Sequence, residues 1–191
     1  MSVLLKPQKV KLIASIFSSS KDILEKAEHE LLEAFGDIDF KSDLLFFDKT
    51  RYYEKEMGWP LYRFFYAFKY LIDPGDLADI KIKTNDIESA YTENTARKVN
   101  IDPGYISPER LVLATGKNFT HRIYIAKGIY ADLTLIFQKG GFLPLPWTFP
   151  DYATMELRDM FADIRNQYMN GISKNSEIKA CDRDKSGVYM K

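Results

Sequence analysis

Residues 10–36 read VKLIASIFSSSKDILEKAEHELLEAFG and place a strand directly before a helix. Apolar side chains occupy alternate positions in the first half of this stretch, which is the two-residue period of a β-strand. They are Val10, Leu12, Ala14 and Ile16. Serines 18–20 then offer an N-cap, apolar residues recur at helical spacing, and Gly36 is a typical C-terminal stop. The stretch therefore predicts one strand followed by one helix.

The next part of the chain repeats this kind of unit. Apolar parity predicts a second strand over 38–46, and the aromatic run LYRFFYAFKYL predicts a third over 61–71. Asp73 and Pro74 then start a helix whose apolar residues recur at spacings of three and four. A fourth strand over 97–102 completes the order β-α-β-β-α-β. This order predicts an α+β fold with a ferredoxin-like core, in which helices cover one face of an antiparallel sheet.

The second half of the chain extends that core. Three further strands, predicted over 111–115, 121–126 and 129–137, form a β-meander. A proline-rich interruption follows, and a terminal helix is predicted to begin near Asp151 and to end at Gly171.

Length and composition indicate one domain. With 191 residues, 46% of them apolar, we expect a single domain over 1–170 and a disordered polar tail over 171–191. The 27 basic and 27 acidic residues balance, which argues against indiscriminate binding to nucleic acid or anionic membrane. A single cysteine, Cys181, excludes an internal disulfide and a cysteine-cluster metal site. Without a signal peptide or a membrane-spanning run, we expect a soluble, cytoplasmic protein.

Charged side chains are concentrated at 97–132, between strand-like apolar runs. The segment has six Lys or Arg against three acidic residues, a net charge of +3 in a neutral chain. A local positive charge favours an anionic ligand such as one that carries phosphate.

A hairpin within this segment has a register that can be worked out from the sequence. If residues 127–128, Lys-Gly, form a two-residue turn, Ile123 pairs with Asp132. His121 and Asp132 then share one face of the hairpin, while Arg122 lies on the other. A carboxylate that binds an imidazole fixes its tautomer and raises its basicity, so we predict His121 and Asp132 as catalytic residues. A satisfied structural pair is the alternative interpretation.

Other polar residues of the segment could converge on this pair. Asn100 and Asp102 share a strand face, and their oxygens could hold magnesium. Lys117, Arg97 and Arg122 could bind phosphate oxygens. For Asp102 there is an alternative, because Asp-Pro-Gly is a common turn and the carboxylate could cap its own backbone.

We predict no dedicated metal centre. His29, the only other histidine, falls opposite the apolar stripe of its helix and is assigned to solvent. A polar ridge of Lys81, Asn85 and Glu88 on the second helix is likewise interpreted as a solvated face.

Five sequence blocks are similar to a known family. They are MGWPLYRFFYAF (57–68), IKIKTNDIE (80–88), RKVNIDPGYI (97–106), LVLATGKNFTHRIYIAKGIYADLTL (111–135) and PWTFPDY (146–152). Over nearly the whole chain before the tail, the sequence resembles an uncharacterised bacterial family, the domain of unknown function DUF4416. Members usually carry glutamate and a second threonine where this chain has Asp132 and Gly116. Some are labelled GTP-binding, but residues 114–117 retain only the final Gly-Lys of a Walker loop.

These observations predict that a phosphorylated or nucleotide-like small molecule binds on the sheet face formed by 97–134, with acid–base catalysis as a hypothesis. A non-catalytic interaction module that docks a protein through the loops at 59–60 and 146–152 is one alternative. RNA binding through the aromatic and basic strand at 62–70 is another. The RNA hypothesis is weakened because the glycine and second aromatic of such strands are missing, and an aromatic stripe that faces helices is ordinarily core.

Overall fold

The structure is a computed structural model that describes residues 3–47, 51 and 53–186, with side chains through residue 173. The helices in these ranges are α1 (Lys21–Phe35), α2 (Glu54–Met57), α3 (Leu77–Ala90) and α4 (Met155–Ser186). The strands are β1 (Val10–Ser18), β2 (Ile38–Lys41), β3 (Leu45–Phe46), β4 (Tyr62–Ile72), β5 (Thr92–Glu93), β6 (Ala96–Arg97), β7 (Asn100–Ile106), β8 (Arg110–Thr115), β9 (Arg122–Ala126), β10 (Ile129–Gln138) and β11 (Gly141–Pro144).

Nine of these strands form one antiparallel sheet. Its order is β11-β10-β8-β7-β1-β4-β2, with β3 also paired to β4 and β9 to β10. The predicted α+β class, the antiparallel sheet and the C-terminal helix are confirmed. The strands predicted as a meander are present as β8, β9 and β10, and they widen the sheet on the β7 side. The predicted meander order is wrong, because β8 pairs with β10 and β9 pairs with β10 beyond it.

Both faces of the sheet are covered by helices. On one face, α1 and α3 pack against Leu12, Tyr66 and Phe68. On the other face, α4 packs through Phe161 against Phe65 and neighbouring apolar residues. The alternation of side chains along β4 explains this division, because successive residues point to opposite faces of a sheet.

Local signals set the ends of α1 as predicted. The Ser20 hydroxyl accepts a hydrogen bond from the Ile23 amide at 3.4 Å, which satisfies one of the unpaired N–H groups of the first turn. Gly36 closes the helix with a φ of 84° and donates its N–H to the Leu32 carbonyl.

Several element boundaries differ from the prediction. The second strand is interrupted, so residues 38–46 form β2 and β3 rather than one strand. The fourth predicted strand begins at Asn100 because residues 92–97 form the separate β5-β6 hairpin. Gly171 does not end α4, which continues to Ser186. A disordered tail is predicted for residues 171–191, and the last five of these, 187–191, lie outside the described residues.

The Asp-Pro-Gly sequence at 102–104 is part of β7 and not a turn. Pairing between β7 and β8 begins at Gly104, where an added Cβ would lie 2.4 Å from the Val112 carbonyl oxygen. Pro103 has no N–H to donate across to β8, so the ladder between the two strands stops there. The result is a gap in the sheet beside the first half of β7.

Candidate functional site

A cavity of about 870 Å3 opens where β8 diverges from β7. Its walls come from the ends of β1, β4, β7 and β8, from the loop before α4, and from α3, which reaches the cavity through the gap in the sheet. Five basic side chains line it, together with four acidic ones. The basic residues are Arg63, Lys81, Arg97, Lys117 and Arg122, and the acidic residues are Glu88, Asp102, Asp132 and Asp151.

Arg97 organises one wall of the cavity. Its guanidinium forms a bidentate pair with Glu56, at 2.8 and 3.1 Å, and also donates to Glu88 at 3.1 Å and to the Asn100 amide oxygen at 2.9 Å. Asn100 in turn donates to Asp102 at 2.8 Å. Hydrogen bonds from Arg97 hold the pKa of Glu56 below its usual range. The predicted ligand residues Arg97, Asn100 and Asp102 therefore lie in one hydrogen-bonded chain.

The polar ridge of α3 lies in this wall and not in solvent, so the solvated-face interpretation is wrong. Lys81 and Glu88 are 7% and 5% exposed, and Asn85 also lines the cavity. The Lys81 ammonium donates to the Ile101 carbonyl at 2.7 Å, and Glu88 accepts the Ile101 N–H at 2.6 Å. Because β8 does not pair with this part of β7, two side chains of α3 bind the N–H and C=O of Ile101, which a neighbouring strand would otherwise bind.

Glu88 has charged neighbours on more than one side. The Lys81 ammonium lies 3.8 Å from Glu88 and 3.6 Å from Asp102. Burial raises the pKa of Glu88, while Lys81 and the Ile101 N–H oppose that shift. The network thus crosslinks α3 and β7 through groups that are nearly removed from water.

Arg63 is a second buried cation that sequence reasoning did not select. It is 4% exposed and donates to the Ser15 hydroxyl at 2.7 Å, to the Asp151 carboxylate and to the Tyr152 hydroxyl at 3.3 Å. Its guanidinium also lies 4.4 Å from the centroid of the Phe65 ring. These contacts attach the loop before α4 to β1 and β4. The sequence pattern that could have identified Arg63 was its position on the face of β4 opposite the aromatic residues.

The hairpin of β9 and β10 begins as predicted and then changes register. Ala126 pairs with Ile129 across the turn, but a bulge follows and Asp132 lies opposite Arg122, not Ile123. The prediction that Arg122 faces away from Asp132 is therefore wrong, because the extra residue turns its side chain toward the carboxylate.

Asp132 contacts the side chains of both Arg122 and His121. It is 3% exposed, and its Oδ2 lies 2.9 Å from the Arg122 Nε and 3.2 Å from the His121 Nε2. The predicted His121–Asp132 hydrogen bond is thus confirmed. The imidazole stacks on Trp147, with ring centroids 5.1 Å apart, and meets Phe119 edge to face. His121 consequently lies behind Asp132, between aromatic rings.

The structure brings the predicted site residues together around one cavity. The lining contains Asn100, Asp102, Lys117, Arg122, Arg97 and Asp132. The remaining predicted residue, His121, contacts the cavity through Asp132. Arg122 Nη1 donates to the Lys117 carbonyl at 3.1 Å, which ties the loop before β9 to the hairpin. Lys117 adds a smaller effect to that of Arg97 in lowering the pKa of Glu56.

Within the described ranges, no three His, Cys, Asp or Glu residues are placed to hold a metal ion. His29 is exposed on α1, as predicted. Asp102, which the sequence suggests as a magnesium ligand, accepts a hydrogen bond from Asn100 at 2.8 Å and lies 3.6 Å from the Lys81 ammonium.

The surfaces predicted for RNA binding and for protein docking are partly buried. Phe65 and Tyr66, at the centre of β4, are 1% and 0% exposed, so this part of the strand offers no ring on which RNA bases could stack. In the loop before α4, Tyr152 is buried, whereas Trp147 and Phe149 are 39% and 45% exposed.

Comparison with known families gives one result. The model of the family described as Domain of unknown function (DUF4416) matches residues 8–168. The chain belongs to the DUF4416 family. The matched range contains every residue that lines the cavity, so the candidate site lies wholly within the DUF4416 domain. No curated protein matches the chain, and no solved structure matches it. Over the described part of this DUF4416 protein, no helix has the length and apolar character needed to cross a membrane.

Proposed function

We propose that the cavity binds a phosphorylated or nucleotide-like small molecule. The observation that carries the proposal is that Lys117 and Arg122, with residues 115 and 116 beside them, line one cavity of about 870 Å3. This volume falls within the range of about 300–1,000 Å3 that is usual for small-molecule sites. Guanidinium and ammonium groups are the side chains best suited to phosphate oxygens.

Most of the cations that line the cavity are bound within its walls. Arg63, Lys81, Arg97 and Arg122 each contact a carboxylate, and the partner of Arg122 is Asp132 at 2.9 Å. The Arg122 guanidinium also donates to the Lys117 carbonyl, which ties these two residues together. An anionic group that enters beside them would meet both cations, with polar and aromatic side chains around the rest of the molecule.

Acid–base catalysis is part of the same proposal. Asp132 lines the cavity and His121 lies behind it, so the carboxylate is the group that would touch the bound molecule. His121 would orient the Asp132 carboxylate at 3.2 Å, and Arg122 would hold the same carboxylate oxygen at 2.9 Å. In this arrangement His121 is a positioning residue and Asp132 the candidate base.

We also infer that the first half of the fold is a ferredoxin-like core in a cytoplasmic protein. The strand order β7-β1-β4-β2, with α1 and α3 on one face, supports the core, since it alternates direction as a β-α-β-β-α-β chain requires. The single cysteine in 191 residues supports the location, because reducing compartments do not favour disulfides.

A thermal-shift series tests the binding proposal. Nucleoside mono- and triphosphates and sugar phosphates, each with and without magnesium, are added at millimolar concentration to the whole chain. A ligand at 100 times its Kd stabilises the folded state by about 2.7 kcal/mol, which raises Tm by about 5–10 °C for a chain of this size. Lys117→Ala and Arg122→Ala should abolish the shift.

The matched control is Lys127→Ala, which removes the same charge from the same hairpin. The Lys127 side chain is 57% exposed and pairs with Asp79 outside the cavity, so this variant should keep the full shift. The proposal fails if none of the compounds raises Tm, or if Lys117→Ala and Arg122→Ala retain the shift of the unmodified chain.

A further inference from the structure

Asp102 is the most exposed of the carboxylates that line the cavity. Its side chain is 37% exposed, whereas the other three acidic side chains there are 13% exposed or less. The Asp102 Oδ2 accepts the Asn100 amide at 2.8 Å. In the described part of the chain no donor hydrogen-bonds Oδ1, from which the Lys81 ammonium is 3.6 Å away. Because a carboxylate oxygen can accept two hydrogen bonds, Asp102 keeps acceptor capacity for a molecule in the cavity.

Asn85 is a second group in this wall that can bind such a molecule. It lies on α3 one turn after Lys81, is half-buried and lines the cavity. Its backbone carbonyl accepts the Ser89 hydroxyl, but among the residues that the structure describes none hydrogen-bonds its side-chain amide. Both basic side chains of the wall, Lys81 and Arg97, contact carboxylates. The wall formed by α3 and β7 therefore suits a neutral polar group better than an anion.

Asp102 lies across the gap in the sheet from Lys117. Pairing between β7 and β8 ends at Gly104 with Leu113. In the same register, Asp102 would lie opposite Thr115, two residues before Lys117. Diagonal neighbours in a regular antiparallel pair are about 7–8 Å apart, and the gap makes this separation greater. A phosphate ion at Lys117 is therefore too small to reach Asp102, whereas a phosphate ester with polar groups several bonds away reaches both.

We propose, on the basis of the function proposed above, that the ligand is a phosphate ester of a sugar, with its hydroxyls bound by Asp102 and Asn85 and its phosphate beside Lys117. A hydroxyl both donates and accepts, so it can donate to the Asp102 carboxylate while it accepts from the Asn85 amide. A cationic amine matches less well, because the Lys81 ammonium already lies 3.6 Å from the carboxylate. A free sugar phosphate and the ribose phosphate of a nucleotide share this chemistry.

Isothermal titration calorimetry of the whole chain tests the proposal with ribose phosphate and butyl phosphate. Both compounds carry a phosphate monoester, but butyl phosphate has no hydroxyl. Ribose phosphate should bind about tenfold more tightly or better, because its hydroxyls form hydrogen bonds with a charged acceptor. Adenosine monophosphate then shows the source of the sugar. Tighter binding than ribose phosphate indicates a nucleotide and equal or weaker binding a free sugar phosphate, and both agree with a sugar at this wall.

Two variants test the residues of the wall. Asn85→Ala and Asp102→Asn should each reduce the preference for ribose phosphate over butyl phosphate about threefold or more. Asp86→Asn is the matched control, because it removes the same charge from an exposed position of α3 outside the cavity, and it should keep the full preference. Lys117→Ala should weaken both phosphates. Circular dichroism establishes that each variant is folded before titration.

Three results would overturn the proposal. Equal binding of ribose phosphate and butyl phosphate would exclude a sugar-specific wall, and the proposed function would still stand if Lys117→Ala weakened both. A preference that is undiminished in both Asn85→Ala and Asp102→Asn would remove these residues from the recognition of the sugar. A chain that binds none of the probes would refute the proposed function and the sugar phosphate together.

Discussion

Replacement of Glu88 by alanine tests whether α3 substitutes for a missing strand. The Glu88 carboxylate accepts the Ile101 N–H at 2.6 Å and an Arg97 N–H at 3.1 Å, and it lies 3.8 Å from the Lys81 ammonium. Glu88→Ala therefore removes a backbone acceptor and one partner of two cations in a single change. We expect a large loss of stability from a side chain that sequence patterns assign to solvent.

The magnitude follows from the individual contacts. A buried N–H without an acceptor costs about 1–3 kcal/mol. Breaking a buried ion pair costs about 3–5 kcal/mol when the remaining charge has no other partner. Here Arg97 keeps Glu56, and Lys81 keeps Asp102 at 3.6 Å, so the ion-pair contribution is smaller. The free energy of unfolding should fall by about 3 kcal/mol, and Tm by about 6–12 °C.

Urea unfolding followed by circular dichroism measures this loss. With an m-value of about 2 kcal/mol/M, the midpoint should fall by about 1.5 M while m stays constant. Glu88→Gln keeps an oxygen for the Ile101 N–H and should cost about 1 kcal/mol. Glu93→Ala is the control, because Glu93 is 74% exposed in its 3.7 Å pair with Lys98, and such pairs contribute less than about 1 kcal/mol. Equal effects of Glu88→Ala and Glu93→Ala would refute the reasoning.

Three further predictions concern ionisable groups. Burial raises the pKa of Glu88 above the ordinary 4.5, so its contribution to stability is fully present below that pH and is lost as pH rises through the folded pKa. The unmodified chain should therefore gain stability relative to Glu88→Gln as the pH is lowered from neutrality toward 4.5 in urea titrations, and a constant difference would contradict this. Burial also raises the pKa of Tyr66 far above 10, so absorbance at 295 nm should show no extra ionisation relative to Tyr66→Phe until the protein unfolds at alkaline pH. Asp132→Asn should lower the free energy of unfolding by about 1–3 kcal/mol, since it weakens the acceptor for buried donors of Arg122 and His121; an unchanged thermal midpoint would contradict this.

Local sequence signals predicted the elements well. Ser20 and Gly36 set the ends of α1, and alternating apolar residues located β1 and β4 within one or two positions. These signals act through neighbours in the chain, where capping hydrogen bonds and strand parity operate. The α+β class and the antiparallel sheet follow from the order of the elements.

The register of the β9-β10 hairpin could be predicted only as far as the first pair. A single bulge after the Ala126–Ile129 pair moves Arg122 opposite Asp132. No residue in the turn indicates in the sequence that this bulge will form. A turn at Asp-Pro-Gly was the alternative that the sequence left open for residues 102–104, and Pro103 lies in β7 beside the gap. A proline indicates where a strand loses a hydrogen bond, but the sequence alone does not show whether a partner is present there.

Much of the cavity wall depends on contacts between distant parts of the chain. Arg63 and Asp151 are 88 residues apart in sequence, and Arg97 and Glu56 are 41 apart. Charged residues on a helix or strand are ordinarily solvated, so spacing alone favoured solvent for Lys81. Only the tertiary structure shows which charges lie beside a gap in the sheet and are therefore buried.

The link between α3 and the Ile101 backbone places an unusual constraint on how this chain can vary. The groups bound at residue 101 are its amide N–H and carbonyl, which are common to nearly every amino acid. Substitution at 101 itself therefore has little influence on these two hydrogen bonds, and no new side chain there could make up for the loss of Lys81 or Glu88. Natural variants of the protein should accordingly preserve donor and acceptor chemistry at positions 81 and 88 more strictly than the identity of the residue those side chains hold.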